Sequence, residues 1–469
     1  MYLINVLYYI LYKININKKI KLKINNIKIN NIKINNIKIM YYHKLDKNTF
    51  NNYSITEFQY SKFIKLKDEL NKARQQINDI INKNVDNKYK IQSLFDKISM
   101  SLYAFDNLCT KNGILVSKYG AEMVTNTWLK IYELGNIFLS PFLENKIQKR
   151  NPKYPKKDDY IFRSLHVVEA PGTFIIALNH LLKTKFSSIN WNWTASTYLE
   201  STNDENQNNK KTEYFDDTYG IMHYFPNNWY YGANHNGDVT NIENLISFRH
   251  FMLNGVGDRD LVDLYTADGG IPITDDCNEY GNIDIINQKL YFGKVLCGFL
   301  TLKEGGIMIV KTFDHLEACV VSILYLISCC FKETYVTKPQ TSKPANSECY
   351  VVGVGYESLN RQQLNDLIEI FDKINIKNQH MSIFKKEDIP RNFVNEIKKW
   401  NNYIVVEQIN AITKNMKKYN KYYNSLDELT EKYEKKRNQI CEVWVHEMKI
   451  KKMDDKYKLL NFNKDKDVI

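Results

Sequence analysis

The sequence predicts an α/β fold: an open, mostly parallel, Rossmann-like sheet with helices on both faces, extended by helical segments at both ends. Three observations predict it. Between residues 163 and 356, short apolar runs of strand length alternate with amphipathic runs of helical length. Several of the apolar runs stop on Gly, Pro or Asp, residues that turn a chain at the end of a strand. The 469 residues, 43% of them apolar, suffice for one large core with extensions.

The elements follow in order. Residues 1–50 read as a low-complexity basic arm, because the pentad Asn-Asn-Ile-Lys-Ile occurs three times in tandem over residues 25–39. A five-residue period is too short for a solenoid unit. Met40 follows the pentads as a second candidate translation start. Residues 51–121 read as a helical amino-terminal module, from the spacing of Phe58, Phe63, Leu66 and Leu70, then Ile77, Ile80 and Ile81. Residues 122–356 carry the sheet. They open with a helix over 122–134 and a loop crowded with Lys146, Lys149, Arg150, Lys153, Lys156 and Lys157. Strands are predicted at 165–169, 191–197, 261–267, 307–311, 333–337 and 349–355. Helices fall at 174–182, 241–253, 287–302 and 315–331, and a long Asn- and Tyr-rich excursion runs to residue 236. Residues 357–469 read as a Lys/Glu-rich helical extension anchored by Trp400 and Trp444, either a cover over the sheet or a module for a protein partner.

Composition excludes some classes. The apolar runs at 1–12 and 318–331 are shorter than the roughly 20 residues of a membrane-spanning helix, so no membrane is expected. The expected location is cytoplasmic or nuclear, or host cytoplasm or virion if the Asn/Lys/Ile/Tyr bias reflects a virus. Eight cysteines with no Cys-x-x-Cys pair suit reduced thiols better than disulfides or a metal site. The net charge is +12, but eight lysines and no acid lie within residues 1–39, so the basic balance says little about the rest.

Four candidate sites carry chemistry. The turn Glu169-Ala-Pro-Gly172-Thr-Phe174 follows a strand and opens a helix, the place where doubly wound sheets bind ligands. It has one glycine where a dinucleotide fold needs several to cradle a pyrophosphate. It therefore suits a cofactor without phosphate, such as S-adenosylmethionine, or is simply a tight turn. Asp268, followed by Gly269 and Gly270, ends a strand, and a carboxylate there can orient a cationic group or cap a helix. Lys311 ends another apolar strand, where an unpaired charge is costly and a lowered pKa would make a base. A lysine snorkelling from a strand end is the bland alternative. Glu348, at the start of the last strand, can pair with Lys311 across the rim.

The order of these motifs resembles the FtsJ-like family of RNA 2′-O-methyltransferases, most closely its adrift-type branch, which includes the eukaryotic enzyme for the second transcribed cap nucleotide. The matching text is Glu169-Ala-Pro-Gly172, Ala177-Leu-Asn-His180, Trp191-Asn-Trp193, Thr266-Ala-Asp-Gly269, Gly305-Gly306 with Lys311, and Thr341-Ser-Lys343 with Asn346-Ser-Glu348-Cys-Tyr350. Thr127-Trp-Leu-Lys130-Ile-Tyr-Glu133 resembles the segment bearing the family's first catalytic lysine. The resemblance implies a methyltransferase sheet, S-adenosyl-L-methionine as cofactor, and RNA, specifically capped mRNA, as partner. It implies a catalytic tetrad of Lys130, Asp268, Lys311 and Glu348. It also implies cofactor contacts from Gly172, Trp191, Asp238 and Asp268. In that scheme Lys311 is the base and Lys130 holds the hydroxyl, the two lysines lowering each other's pKa beside a cationic donor. Asp268 and Glu348 position them. Lys343, the 146–157 loop and Tyr230 with Tyr231 are candidate RNA contacts, the tyrosines more simply read as parts of a loop.

The sequence departs from the family in three ways. Thr173 stands where a small residue is usual, the second strand ends without an acid (Glu200 is the candidate substitute), and the roughly hundred residues given after Tyr356 are fewer than the long second domain of the eukaryotic cap enzyme would lead one to expect. Ribosomal or transfer RNA as substrate, and a non-catalytic RNA-binding scaffold, remain alternatives. A nicotinamide dehydrogenase is more distant, since the phosphate-cradling glycines are absent.

Overall fold

The computed structural model describes residues 41–50, 52–83, 87–148, 160–199, 217–254, 260–271, 283–374 and 381–460. Most of the basic arm, Lys149 to Lys157 of the lysine loop, and Glu200 with part of the Asn-rich excursion lie outside the described residues.

Strands β1 (Tyr41–Leu45) and β2 (Thr56–Glu57) precede helices α1 (Ser61–Asn82) and α2 (Lys88–Leu102). Helix α3 (Asn126–Leu134) runs through a π-helical turn (Gly135–Leu139) into α4 (Ser140–Gln148). The alternating part follows: β3 (Ile161–Val167), α5 (Thr173–Lys185), β4 (Asn190–Ala195), α6 (Ile242–Leu253), β5 (Val262–Ala267), α7 (Gln288–Thr301) and β6 (Leu302–Thr312). After α8 (Ala318–Cys330), β7 (Phe331–Lys338) and β8 (Cys349–Tyr356) form a hairpin. The chain ends in α9 (Arg361–Lys373), β9 (Met381–Ser382), α10 (Arg391–Tyr422) and α11 (Leu426–Glu447).

The seven described strands of the main sheet lie in the order β1-β7-β8-β6-β5-β3-β4. Pairs β3–β4, β3–β5 and β5–β6 are parallel, whereas β6–β8, β7–β8 and β1–β7 are antiparallel. The sheet is thus mixed, with β8 reversed between β6 and β7. That reversal matters, because a reversed strand begins at the rim where its neighbours end. The β6–β8 register sets Lys311 opposite Tyr350, and β5–β6 sets Ala267 opposite Val310. Residues 268, 311 and 348 therefore reach one edge.

Side chains alternate between two cores, as a pleated sheet dictates. Met308 and Val310 face one core, and Ile307 and Ile309 the other. The first core is closed by α7 and α8, and the second by α3 and α5, whose apolar residues fill them. Both extensions join these cores rather than standing apart. Phe63 and Leu70 of α1 and Trp400 of α10 are buried in the first, while Trp444 of α11 is buried in the second. The carboxyl-terminal helices are a cover, anchored by the two tryptophans. Residues Met40–Ile469 form a single compact unit.

The low-complexity reading of residues 1–50 fails over Tyr41–Leu45, which pair antiparallel with β7 as the sheet's edge strand. Leu45 is buried there, and Lys44 reaches Glu333 at 2.5 Å. A short strand next to Ile-rich repeats has no boundary in the sequence. Strand β3 also stops two residues early, because Val168 adopts a left-handed φ of 54° that extended pairing cannot accommodate. Among the described residues, no helix is long and apolar enough to cross a membrane.

Candidate active site

Four charged side chains from separate segments meet at the rim where β5 and β6 end. Helix α3 begins at Thr125, whose side chain caps the Trp128 amide, a standard way of satisfying an orphan donor. Its residues Trp128–Leu134 are all buried, Lys130 included. A lysine buried on a helix is costly unless it is paired. The Lys130 Nζ donates to both Glu348 oxygens at 2.7 Å. Burial alone would raise the Glu348 carboxyl, but Lys130, Lys311 and Lys338 outweigh it and hold the group well below the usual carboxylate range. Lys338 also fixes the preceding loop, donating to the Asn346 carbonyl at 2.6 Å and the Glu348 carbonyl at 2.8 Å.

Asp268 lies just past β5, and the Lys311 Nζ is 3.9 Å from its Oδ1. The Tyr350 hydroxyl sits 2.7 Å from Asp268 Oδ1 and 2.8 Å from Glu348 Oε1. A phenol has one proton to donate, so it serves one carboxylate at a time and ties the two halves of the tetrad together. Burial, with both carboxylates, keeps that phenol protonated.

Burial pushes the Lys311 pKa down, but Asp268 and Glu348 outweigh burial and raise it. At rest it is an ammonium.

Sequence reasoning missed three participants. Lys294 of α7 is fully buried and donates to the carbonyls of Gly269 and Lys311, each at 2.8 Å. It braces the two strand ends that carry Asp268 and Lys311. Burial, with Lys311 nearby, pushes its own pKa well down. A lysine flanked by apolar helix residues was the available signal. Glu133, one turn after Lys130, accepts from the Gln340 amide at 2.8 Å, the Thr341 amide at 3.2 Å and the Thr341 hydroxyl at 2.9 Å. Burial pushes its carboxyl up to about 7. Tyr350 is the third, visible only as part of a motif.

A cradle for a cofactor lies beside this rim. Gly172, with φ of 94°, starts α5, and a Cβ there would fall 2.6 Å from Ile221 Cγ2. A backbone position that is left-handed and so crowded admits only glycine. Gly269 is equally confined, since a Cβ would meet Val168 Cγ1 at 1.9 Å. Glu169 Oε1 caps α5, accepting from the Phe174 amide at 2.8 Å. Its Oε2 is buried without a hydrogen-bond partner among the described residues. Burial first and Asp268 second keep this carboxyl protonated. An orphaned buried O–H group, a glycine turn and a helix start fit a polar ligand without phosphate.

Asp238 is half-buried in the loop ahead of α6, its Oδ1 accepting from the Thr240 amide and hydroxyl at 2.8 Å. Nearby, Ala195 and Trp229 form an isolated parallel bridge. Trp191 is placed elsewhere. It pairs in register with Phe162 near the start of β3, and its indole N–H donates to Ser164 Oγ at 2.8 Å. Four residues separate it from the end of β4, roughly 13 Å along a strand, so a donor contact from Trp191 does not fit the rim. Tyr230 is also occupied, stacked on Phe251 with ring centres 3.9 Å apart.

The sheet is mixed, with the reversed strand β8 third from the β1 edge, and it carries a single-glycine turn and a Lys-Asp-Lys-Glu cluster on one rim. The FtsJ-like methyltransferase family model matches residues 124–356, and the chain belongs to that family. It is 32% identical over 314 residues to a cap-specific mRNA (nucleoside-2′-O-)-methyltransferase 2 from Danio rerio, covering 65% of this chain and 38% of that protein. The Drosophila melanogaster protein of the same name is 33% identical over 58% of this chain and 36% of its own length. A probable methyltransferase, EP424R, from an African swine fever virus isolate is 30% identical over 73% of this chain and 74% of its own. The chain therefore spans well under half the length of the two animal relatives and about three quarters of the viral one.

Proposed function

We propose that the chain transfers a methyl group from S-adenosyl-L-methionine to the ribose 2′-hydroxyl of RNA, at a cap-proximal nucleotide of mRNA. The observation that carries this reading is the convergence of Lys130, Asp268, Lys311 and Glu348 on one rim, linked by Tyr350. Names of the animal relatives support capped mRNA as substrate. Gly172, Asp238 and Asp268 would hold the donor, with Glu169 lending its buried O–H. The donor supplies a methyl group on a cationic sulfur.

The protein's own residues must align a ribose oxygen and relieve it of a proton. Lys311 reaches the rim as a donor for that oxygen and steadies charge developing on it. Its deprotonated fraction accepts the proton. Because two carboxylates raise its pKa, that fraction grows with rising pH. The bidentate Lys130–Glu348 pair and Tyr350 hold Asp268 and the reversed strand in place. RNA reaches this rim along Lys343 and, in our reading, the 146–157 loop. A cytoplasmic or nuclear setting follows from an mRNA substrate, and a viral chain would act in host cytoplasm.

The test is to incubate the full chain with labelled donor and either capped or uncapped RNA, then map the modified ribose. Label on a cap-proximal 2′-oxygen of capped RNA alone is expected. Equal transfer to uncapped ribosomal or transfer RNA would move the substrate to those classes, and no transfer with intact donor binding would favour a scaffold.

A further inference from the structure

Away from the charged rim, α1, α2, α10 and the loop before Glu348 line a half-open cavity of about 400 Å³, a size usual for small-ligand pockets. Its floor is apolar, formed by Ile77, Phe95 and Ile412. Phe95 is held flat by stacking on Tyr419, with centroids 4.2 Å apart and planes 11° from parallel.

The walls are rich in carboxamides. Asn78, Gln92 and Asn415 line the cavity, and none of them makes a side-chain hydrogen bond among the described residues. Each offers a donor and an acceptor to an occupant. Asp96 adds a further acceptor, and Lys343 supplies a cation.

The last wall connects the cavity to the rim. Asn346 and Ser347 line it, and the Asn346 Oδ1 accepts from the Glu348 amide at 3.1 Å. The same loop is clamped by Glu133 through Gln340 and Thr341. An occupant touching Asn346 is therefore within a residue or two of the catalytic carboxylate.

An apolar floor, edges with both donors and acceptors, and two cations, Lys343 and an Arg74 already paired with Asp314 at 2.9 Å, match the parts of a nucleotide: a flat base with polar edges, carried on a phosphate. We infer that this cavity binds a nucleobase of the RNA substrate neighbouring the methylated ribose, with Lys343 facing its phosphate. This rests on the RNA reading above and extends it, since α1, α2 and α10 all lie outside the 124–356 family match. The helical extensions then select the substrate rather than merely cover the sheet.

The experiment uses the full chain and RNA bearing 4-thiouridine one or two nucleotides on either side of the target ribose, with a further arm carrying a photoreactive base at the 5′ cap. After irradiation, the cross-linked peptides are mapped. Cross-links to residues 77–99 or 412–415 support the inference, and the arm that gives them identifies which base enters. Cross-links confined to other surfaces overturn it. In parallel, the Gln92→Ala, Asn415→Ala double variant should raise the KM for RNA about tenfold while kcat and donor affinity hold. An unchanged KM with intact donor binding also overturns it. Because cross-linking needs no turnover, cavity cross-links without methylation would sink only the methylation reading. Methylation without them would sink only this one.

Discussion

Lys130 and Glu348, 218 positions apart in sequence, form a two-pronged pair in which one ammonium meets both carboxylate oxygens at 2.7 Å. Both side chains are almost wholly shielded, 10% and 4% exposed. Such a pair does not simply add stability. Its value lies in holding a helix that flanks the sheet against the residue that leads into a reversed strand, and breaking it leaves one charge stranded in a dry place.

Lys130→Ala should therefore destabilise the chain by about 3 to 5 kcal/mol, read by denaturant unfolding. The Lys130→Met, Glu348→Leu double variant should recover much of that loss while remaining inactive. A single-variant cost near zero would show the pair to be solvated.

Lys311→Ala should cut methyl transfer by roughly a hundredfold or more while donor binding, followed by calorimetry, survives. The pH profile is more telling. Asp268 helps raise the Lys311 pKa, so Asp268→Asn should move the rising limb of kcat to lower pH, even though its height falls. A limb that stays where it was would remove Lys311 as the titrating group.

Glu133 predicts a pH effect on stability. Its carboxyl rises from 4.5 to about 7 on folding because it is buried. The folded chain thus keeps a proton that the unfolded chain releases. Stability from this group is complete below about pH 4.5 and is lost as pH rises through about 7. Glu133→Gln should flatten the Tm-against-pH curve over that window, and should itself cost about 1 to 3 kcal/mol, since its NH2 would face donors that one carboxyl oxygen now meets.

Gly172→Ala should weaken donor binding at least tenfold and lower stability by about 1 to 3 kcal/mol. The new Cβ would need both a left-handed backbone and the space held by Ile221. Unchanged donor affinity would place the cradle elsewhere.

Much of this architecture was legible in the sequence because strand and helix periods are local. Residues 262–267 and 307–311 read as strands because every other residue had to be apolar on each face. The four charged residues that converge on the rim were singled out through their motifs. Tyr41–Leu45 was not, since its only reason to be a strand is β7, far along the chain. Trp191 was misplaced for a related reason: a motif names a strand but not which end faces the ligand. Lys294 was not singled out, since its partners are the carbonyls of Gly269 and Lys311, which only the folded sheet brings to it.

The distances along the chain have a consequence for synthesis. Lys44 of the edge strand meets Glu333, 289 residues later. Asn179 and His180 of α5, the helix that starts at the glycine turn, bond to the carbonyls of Tyr457 and Lys451. At ribosomal speeds of about 5 to 20 residues per second, β1 leaves the ribosome on the order of ten seconds to a minute ahead of its partner. Its backbone stays unpaired throughout, which makes it a natural client for chaperones that shield exposed strand edges. Lys130 likewise emerges long before Glu348 exists to receive it. The rim that holds Lys130 is therefore incomplete in the nascent chain until Glu348 has been made.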